Sequence, residues 1–375
     1  MNNSDEQHAI ERIHAAGKSL VLSITGGGSG AIARLLEVPG GSATVLEAIV
    51  PYSATSLEQW LGGKADHYCS ERTARAMAMA SFERARRLSE IDPHSLVGIG
   101  ATASLVSNRP KRGPHRIHVA WQSAEKTVVT SCELLKGTRT RDEEEQVATQ
   151  LILTSVAESC GVEAAFSVEA EHEPIQRREQ NAPPEWSDLL LGRRSHVAIS
   201  DAGTIGNDHP KILFPGAFNP IHTAHRRMAR IAGERLGAPV TFELSIINVD
   251  KPPLDFVEIA DRLAQFAGER VLLTRASRFV EKAELAPGCT FVVGVDTIVR
   301  IGDSKYYRGG DAERDAAIAA IAAAGCRFLV FGRSLQGNFH SLSDLAISTE
   351  LHHLCEELPE SEFREDVSST ELRGA

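Results

Sequence analysis

The stretch GAFNPIHTAH, residues 216–225, is the most informative part of this 375-residue chain. Lys211–Phe214 before it has the apolar pattern of a short strand, and Thr223–Leu236 after it has the composition of a helix. The glycine that opens the stretch lets the backbone approach a ligand closely, and the first helical N–H groups face an anion. His222 and His225, three residues apart, project from one helix face. The pattern therefore predicts a phosphate-binding turn that carries two imidazoles.

This stretch resembles the GxFxPxHxGH signature of the nucleotidylyltransferase superfamily, whose members join the α-phosphate of a nucleotide to a phosphate-bearing acceptor and release pyrophosphate. Two further segments match that family in the same order along the chain, Phe291–Thr297 (FVVGVDT) and Ser368–Arg373 (SSTELR). The resemblance implies that Gly294 and Asp296 hold the adenosine portion, and that the second segment starts a helix that takes the β- and γ-phosphates. Asn219 stands where many members have Asp, but it keeps a hydrogen-bonding oxygen.

The chemistry of this family explains the residue types. In-line attack on the α-phosphorus gathers charge on the equatorial oxygens and on the leaving pyrophosphate, so fixed donors matter more than a nucleophilic side chain. The resemblance assigns the catalytic roles to His222, His225 and Arg373. The residues assigned to nucleotide binding are Gly216, Ala217, Phe218, Asn219, Gly294, Asp296, Ser368, Ser369, Thr370 and Arg333. Mg²⁺ is expected to arrive with ATP, because it keeps its waters and rarely needs a full protein cage.

Each of these features also has an ordinary structural interpretation. Two histidines at this spacing could form half of a zinc site, but no nearby His, Cys or acidic residue completes a zinc pattern, so no protein metal site is predicted. Ser368–Thr370 could be a simple helix cap, and Arg333 could be a surface arginine. The occurrence of three motifs in order over residues 211–373 favours the transferase.

The acceptor is expected to be a phosphorylated small molecule, in the first place nicotinamide or nicotinate mononucleotide. Lys251 follows the second predicted strand of this half, where relatives place a basic residue for the acceptor phosphate. Because all three tryptophans precede residue 210, ring stacking would fall to Tyr306, Tyr307 or Phe256. Phosphopantetheine or a phosphorylated alcohol, with CTP as donor, remains an alternative, as does a non-catalytic nucleotide sensor.

Residues 19–160 resemble the CinA carboxy-terminal domain, a family that includes nicotinamide-nucleotide amidohydrolases. The matching segments are Gly26–Ser42, Ile49–Ser53 and Cys69–Arg84. The family usually carries ESCTGG with a nucleophilic serine, whereas this chain has ITGGGS, which places Thr25 at the serine's position and Leu57 near that of the family's lysine. The candidate residues here are Thr25, Gly26, Gly27, Gly28, Ser29 and Tyr52. Loss of an activating lysine predicts a degenerate domain that keeps its glycine turn as an anion cradle, with an active amidohydrolase as the alternative.

Strand and helix patterns alternate through both halves, which predicts an α/β fold with two domains and mostly parallel sheets. We expect a CinA-like three-layer α/β/α domain over residues 1–165 and a Rossmann-like nucleotidylyltransferase domain with a mostly parallel sheet over residues 210–375. The charged, Pro-bearing run Glu171–Pro184 predicts a linker over residues 166–209. The Ala-rich segment Asp311–Ala324 predicts a helix capped by Asp311 at its start and ended by Gly325.

Composition limits the partners. A formal net charge of −10 argues against non-specific binding to nucleic acid or to anionic membranes. Six scattered cysteines without a CxxC pair are typical of reduced thiols in a cytoplasm. No signal peptide is expected, because the amino-terminal residues are polar and the apolar run Leu20–Ile24 is short. The expected partners are thus ATP and the phosphorylated acceptor, and a homo-oligomer remains open.

Overall fold

The computed structural model describes residues 3–108, 112–163, 166, 173–199, 210–248, 251–335 and 338–364. The chain divides into two units. Unit 1 comprises Met1–Leu191 together with Asn248–Ala260, and unit 2 comprises Gly192–Ile247 together with Asp261–Ala375. Each unit has its own mixed set of helices and strands and its own apolar core, so the α/β fold class with two domains is confirmed.

Unit 1 contains six strands and seven complete helices among its described residues. The strands are β1 (Ser19–Thr25), β2 (Val45–Ile49), β3 (Leu96–Ser104), β4 (His115–Gln122), β5 (Lys126–Leu134) and β6 (Ile175–Asn181). The helices are α1 (Asn3–Ala15), α2 (Gly30–Glu37), α3 (Gly41–Thr44), α4 (Ala54–Leu61), α5 (Glu71–Leu88), α6 (Arg141–Ser159) and α7 (Pro184–Leu191). A short 3₁₀ turn, Pro93–Ser95, precedes β3.

The sheet of unit 1 has the strand order β2-β1-β3-β4-β5-β6. β2, β1 and β3 are parallel, whereas β3, β4, β5 and β6 pair antiparallel. The expectation of a mostly parallel sheet is therefore wrong for this unit. The connection between β4 and β5 spans only residues 123–125, and a parallel crossover needs about a dozen residues or more.

Helices cover both faces of this sheet, as predicted for a three-layer domain. Ile10 and Ile13 of α1, Leu35 of α2 and the apolar side of α6 pack in one core with Leu22 and Ile99 of the sheet. On the opposite face, α5 packs its alanines on β4 and β5. β3 is buried at every residue except the last, as expected for a strand that is covered on both faces.

Unit 2 contains a second sheet with helices between its strands. The strands are β7 (His196–Ile199), β8 (Ile212–Pro215), β9 (Val240–Ser245), β10 (Arg270–Thr274), β11 (Thr290–Gly294), β12 (Arg327–Phe331), β13 (Arg333–Leu335), β14 (Asn338–His340) and β15 (Cys355–Leu358). The helices are α8 (Thr223–Leu236), α9 (Phe256–Leu263), α10 (Phe279–Leu285), α11 (Val295–Gly302), α12 (Gly310–Ala323) and α13 (Thr349–His353), of which α9 begins in residues grouped with unit 1. The 3₁₀ turns are Ala264–Phe266, Ser304–Tyr306 and Leu342–Asp344.

The main sheet of unit 2 has the strand order β15-β12-β11-β8-β9-β10-β7. All neighbours are parallel except β7, which is antiparallel to β10, so the mostly parallel sheet is confirmed for this unit. The chain runs outward in one direction from β8 through β9 to β10, and then in the other direction from β11 through β12 to β15. The order of winding reverses between β8 and β11, and ligands of such folds bind outside the carboxyl ends of the strands at this point.

The residues expected to form a linker are partly regular structure. β6 is the edge strand of the sheet in unit 1, α7 belongs to the same unit, and β7 joins the sheet of unit 2. β6 has the sequence IQRREQN, and its side chains are exposed except for one that is half-buried. Because natural edge strands often carry charges that discourage further pairing, this strand has the composition of a linker. Residues 200–209 lie outside the described part of the chain.

The predicted strand Lys211–Phe214 agrees with β8 within one residue, a normal uncertainty for element ends. The cap predicted at Asp311 is wrong, because α12 begins at Gly310, and the Glu313 carboxylate accepts the Gly309 N–H at 2.8 Å. Gly325 does follow the helix, with a φ of 72° that favours glycine. Among the described residues, no helix has both the length and the apolar character to cross a membrane.

Candidate active site

The loop that joins β8 to α8, residues 216–222, lies at the switch point of the sheet; we call it the histidine loop. The Gly216 N–H donates to the carbonyl of Glu243 on β9 at 3.0 Å. The ring of Phe218 is buried and contacts the rings of Phe214, Phe242 and Phe266 edge-on, with centroids 5.3–5.4 Å apart. A Cβ at residue 216 would lie 2.6 Å from that ring. The glycine is therefore required by the close approach of the backbone to a buried ring.

The two predicted histidines lie side by side at the start of α8. Their ring centroids are 3.8 Å apart, and the ring planes differ by 30°. His222 is the residue that precedes the first turn, and its backbone N–H donates to Nδ1 of His225 at 3.3 Å. Because Nδ1 of His225 accepts a hydrogen bond, the proton of the neutral ring is assigned to Nε2, which is then a donor.

His225 is a neutral donor rather than a cation at physiological pH. Burial, together with the charges of the neighbouring His222 and Arg333, lowers its pKa to about 3. The ring lies edge-on to Phe218, with centroids 5.1 Å apart, which explains the burial. A neutral imidazole can donate to a phosphate oxygen without first losing or gaining a proton.

The second motif reaches the same edge of the sheet. β11 ends at Gly294, and Asp296 lies in the first turn of α11. Arg333 starts β13, two residues after β12 ends, and its Nη1 is 3.7 Å from Oδ2 of Asp296. β8, β11 and β12 are neighbouring parallel strands, so their carboxyl ends meet at one edge. The structure thus brings His222, His225, Asp296 and Arg333 to this edge.

Two residues that sequence reasoning missed hold the histidine loop. Nη1 of the buried Arg262 donates to the carbonyl of Ala217 at 3.0 Å. Oε1 of Gln265 accepts the N–H of Ile221 at 2.9 Å. The two residues are three apart, at the end of α9 and in the turn after it, and no pattern in that segment indicates that they contact the loop.

The structure places the three residues predicted to bind the acceptor in different surroundings. Lys251 is exposed and belongs to the segment grouped with unit 1, where a Cβ at Gly63 would lie 3.1 Å from its Cε. The Tyr307 hydroxyl donates to the carbonyl of Ile301 at 2.9 Å, and burial raises its pKa. Tyr306 is 54% exposed and has the ammonium of Lys305 5.0 Å from its ring centroid. Tyr306 is therefore the more accessible of the two rings.

The hydroxyl-rich motif is not part of the site that can be described. Ser368, Ser369, Thr370 and Arg373 lie outside the described residues, which end at Arg364. Their assignment to the β- and γ-phosphates stays a prediction. The last described segment does approach the helix that carries the histidines, since the guanidinium of Arg227 lies 5.4 Å from the ring centroid of Phe363.

In unit 1, packing explains the glycine turn that follows β1. A Cβ at Gly26 would lie 1.9 Å from Ala103. At Gly27 it would lie 2.4 Å from Leu105, and at Gly28 it would lie 2.5 Å from Ile152. The Gly28 N–H donates to the carboxylate of Glu145, so a carboxylate of the protein occupies the predicted anion cradle.

In the CinA-like motif, the hydroxyl at the serine's position is already hydrogen-bonded, and the residue at the lysine's position is apolar. The buried Thr25 donates its hydroxyl hydrogen to the carbonyl of Pro51 at 2.9 Å. Leu57, at the lysine's position, is 2% exposed and packs in an apolar cluster. Ser29 precedes α2 without a side-chain capping bond, and Tyr52 is 67% exposed. Among the described residues at these positions, none is a base that contacts the Thr25 hydroxyl.

The carboxy-terminal half is similar to a known family and to a curated protein. Residues 213–375 match the cytidylyltransferase-like family. A protein of Schizosaccharomyces pombe, named as a candidate nicotinamide mononucleotide adenylyltransferase, is 31% identical over 135 residues, which are 32% of this chain and 50% of that protein. The chain thus spans about half the length of this curated relative. The resemblance to nucleotidylyltransferases is confirmed as a similarity, since residues 213–375 match the cytidylyltransferase-like family model.

Solved structures of CinA proteins are similar to the amino-terminal part. The competence/damage-inducible protein CihA of Agrobacterium tumefaciens is 18% identical, with 41% of this chain and 95% of that chain covered and a TM-score of 0.33. A CinA superfamily protein of Escherichia coli is 13% identical, with 42% and 92% covered and a TM-score of 0.35. The CinA-like resemblance is confirmed as a likeness, and the chemistry of unit 1 rests on its own residues.

Proposed function

We propose that unit 2 transfers the AMP portion of ATP to nicotinamide or nicotinate mononucleotide and releases pyrophosphate. The observation that carries this proposal is the pair of stacked imidazoles at the switch point of a parallel sheet, with His225 held neutral beside Arg333 and Asp296. The name of the yeast relative supports the choice of acceptor. In the proposed reaction an acceptor phosphate oxygen forms a bond to the α-phosphorus, and the bond from that phosphorus to the oxygen bridging to the β-phosphate breaks.

In this mechanism the protein orients groups and stabilises charge. Nε2–H of His225 donates to an oxygen of the α-phosphate, where negative charge grows in the transition state. His222, at the start of α8, adds a second donor at the positive end of the helix dipole. Arg333 supplies positive charge at the same edge, and the acceptor oxygen is the nucleophile, so no covalent enzyme intermediate forms.

Mg²⁺ fits this site as a companion of the triphosphate. The described residues contain no group of three or more His, Cys, Asp or Glu side chains that could hold a metal ion by themselves. An ion coordinated by triphosphate oxygens and its own waters does not require such a group. When bound, it would neutralise charge on the leaving pyrophosphate.

Pyrophosphate release across a panel of acceptors tests the proposal. We expect release with ATP and nicotinamide or nicotinate mononucleotide, together with a dinucleotide of the mass of the joined mononucleotides. The panel also contains phosphopantetheine, phosphorylated alcohols and CTP. Release with another pair would replace the acceptor or the donor, and triphosphate binding without release from any pair would identify a sensor.

For unit 1 we propose that the CinA-like domain does not hydrolyse nicotinamide mononucleotide. Its Thr25 hydroxyl already donates to a backbone carbonyl, and an apolar side chain occupies the lysine's position. We therefore expect the full chain to release no ammonia from nicotinamide mononucleotide above the level without enzyme. Ammonia release that disappears in Thr25→Ala but persists in Thr55→Ala, a control in the exposed first turn of α4, would overturn this.

A further inference from the structure

The histidine loop is held from outside by the segment that ends α9. The Arg262 guanidinium donates to the carbonyl of Ala217, near the start of the loop. Gln265 accepts the N–H of Ile221 near its end, and its Nε2 lies 3.5 Å from the carbonyl of Phe218. These contacts join two side chains to three backbone groups within five consecutive loop residues, so the path of the loop depends on them.

The contact of Arg262 is costly to lose. Arg262 is 7% exposed, and a buried guanidinium loses its hydration and depends on hydrogen bonds from the protein. The same turn is also tied to α8, because Arg226 donates to the carbonyl of Gln265 at 2.7 Å and forms an ion pair with Glu269 at 3.0 Å. The turn and the helix that carries His225 are therefore fixed to each other.

The loop in turn sets the environment of His225. The residue after Ala217 is Phe218, whose ring covers the ring of His225 edge-on and packs against Phe266 in the same turn as Gln265. A loop released from Arg262 would let Phe218 move away from the imidazole. Water would then reach His225, and the loss of burial would raise its pKa toward the ordinary value.

We propose that Arg262 and Gln265 are positioning residues that hold the histidine loop so that both imidazoles face the reacting phosphate. The effect on catalysis rests on the proposed function, whereas the effect on the loop does not. A displacement of about 1 Å in such a group lowers rates by about 10²-fold, so the contacts affect turnover more than substrate affinity.

The test uses the full chain with Arg262→Met and Gln265→Met. Met has the same length as Gln, and it keeps the apolar stem of Arg without the guanidinium. Arg230→Met is the matched control, because Arg230 lies on the exposed side of α8 and pairs only with Glu234 in the contacts described. Carbon-13 labelled histidine, with His225→Gln to assign the signal, reports the pKa of His225 in each protein. Circular dichroism checks that each variant is folded.

We expect His225 to stay neutral from pH 8 to pH 5 in the native protein and in Arg230→Met. In Arg262→Met and Gln265→Met we expect it to titrate between pH 5 and 7. We expect kcat to fall by about 10²-fold in Arg262→Met, with KM for ATP changed by less than about threefold. Arg262→Lys should restore part of kcat.

If Arg262→Met and Gln265→Met fold and keep the native His225 titration and the native kcat, the proposal is overturned. If Arg262→Met does not fold, Gln265→Met gives the same two readouts. A native protein without transferase activity would contradict the proposed function, and the His225 titrations would still decide the positioning role.

Discussion

Replacing His222 by alanine is expected to lower kcat of nucleotidyl transfer by about 10²- to 10³-fold, the usual cost of losing one donor aimed at transition-state charge. The KM for ATP should change far less, because this hydrogen bond strengthens mainly as charge develops on the α-phosphate. His222 is half-buried at the start of α8, so its removal leaves the Phe218 cluster in place. Steady-state kinetics with separate kcat and KM give the measurement.

His353→Ala is the control for this substitution, since His353 is an exposed histidine of the same unit on α13. We expect its kcat to equal that of the native protein. An equal loss of ATP affinity and of turnover in His222→Ala would indicate a binding role without transition-state stabilisation. Unchanged kinetics would remove the imidazole pair from the mechanism.

Gly216→Ala is expected to reduce kcat/KM by about 10²-fold through geometry alone. The added Cβ would lie 2.6–2.9 Å from three carbons of the Phe218 ring. That ring is 2% exposed and packed among Phe214, Phe242 and Phe266, so the loop rather than the ring must shift. Overpacking of this kind costs about 1–3 kcal/mol of stability, which thermal unfolding measures beside the kinetics.

Gly233→Ala provides the matched control for Gly216→Ala. Residue 233 lies in the last turn of α8, and a Cβ there would find its nearest neighbour, the carbonyl oxygen of Ala238, at 3.4 Å. Alanine also has the better helix propensity, so we expect stability to be equal or higher and activity to be native. Native activity in Gly216→Ala would show that the close approach of the loop to Phe218 is unimportant.

The sequence predicts those site residues that belong to short continuous motifs or that directly follow a recognisable strand. Gly216, His222 and His225 belong to one continuous motif, and Asp296 follows a strand whose apolar run is easily recognised. Because parallel strands carry their ligands at one edge, placing both motifs after strands was enough to predict that they meet there. Arg333 reaches the same edge by the same reasoning, since it follows β12 closely.

Other features depend on packing that no local pattern reveals. Arg262 and Gln265 contact backbone groups of a loop more than forty residues earlier in the chain, and no pattern in their own segment indicates that contact. Glu145 lies 117 residues after Gly28, whose N–H it accepts. The sequence predicts a linker at β6 because an exposed, charged edge strand has the same composition as a charged linker.

Binding of ATP to the histidine loop is measured most directly by titrating Mg²⁺-ATP into the protein labelled with carbon-13 histidine. We expect the ring signals of His222 and His225, assigned with His222→Gln and His225→Gln, to shift together with one dissociation constant. That constant should equal the value from calorimetry, while the signal of His353 stays in place. Saturation by ATP that leaves both signals unmoved would contradict the central claim that the two imidazoles face a single nucleoside triphosphate.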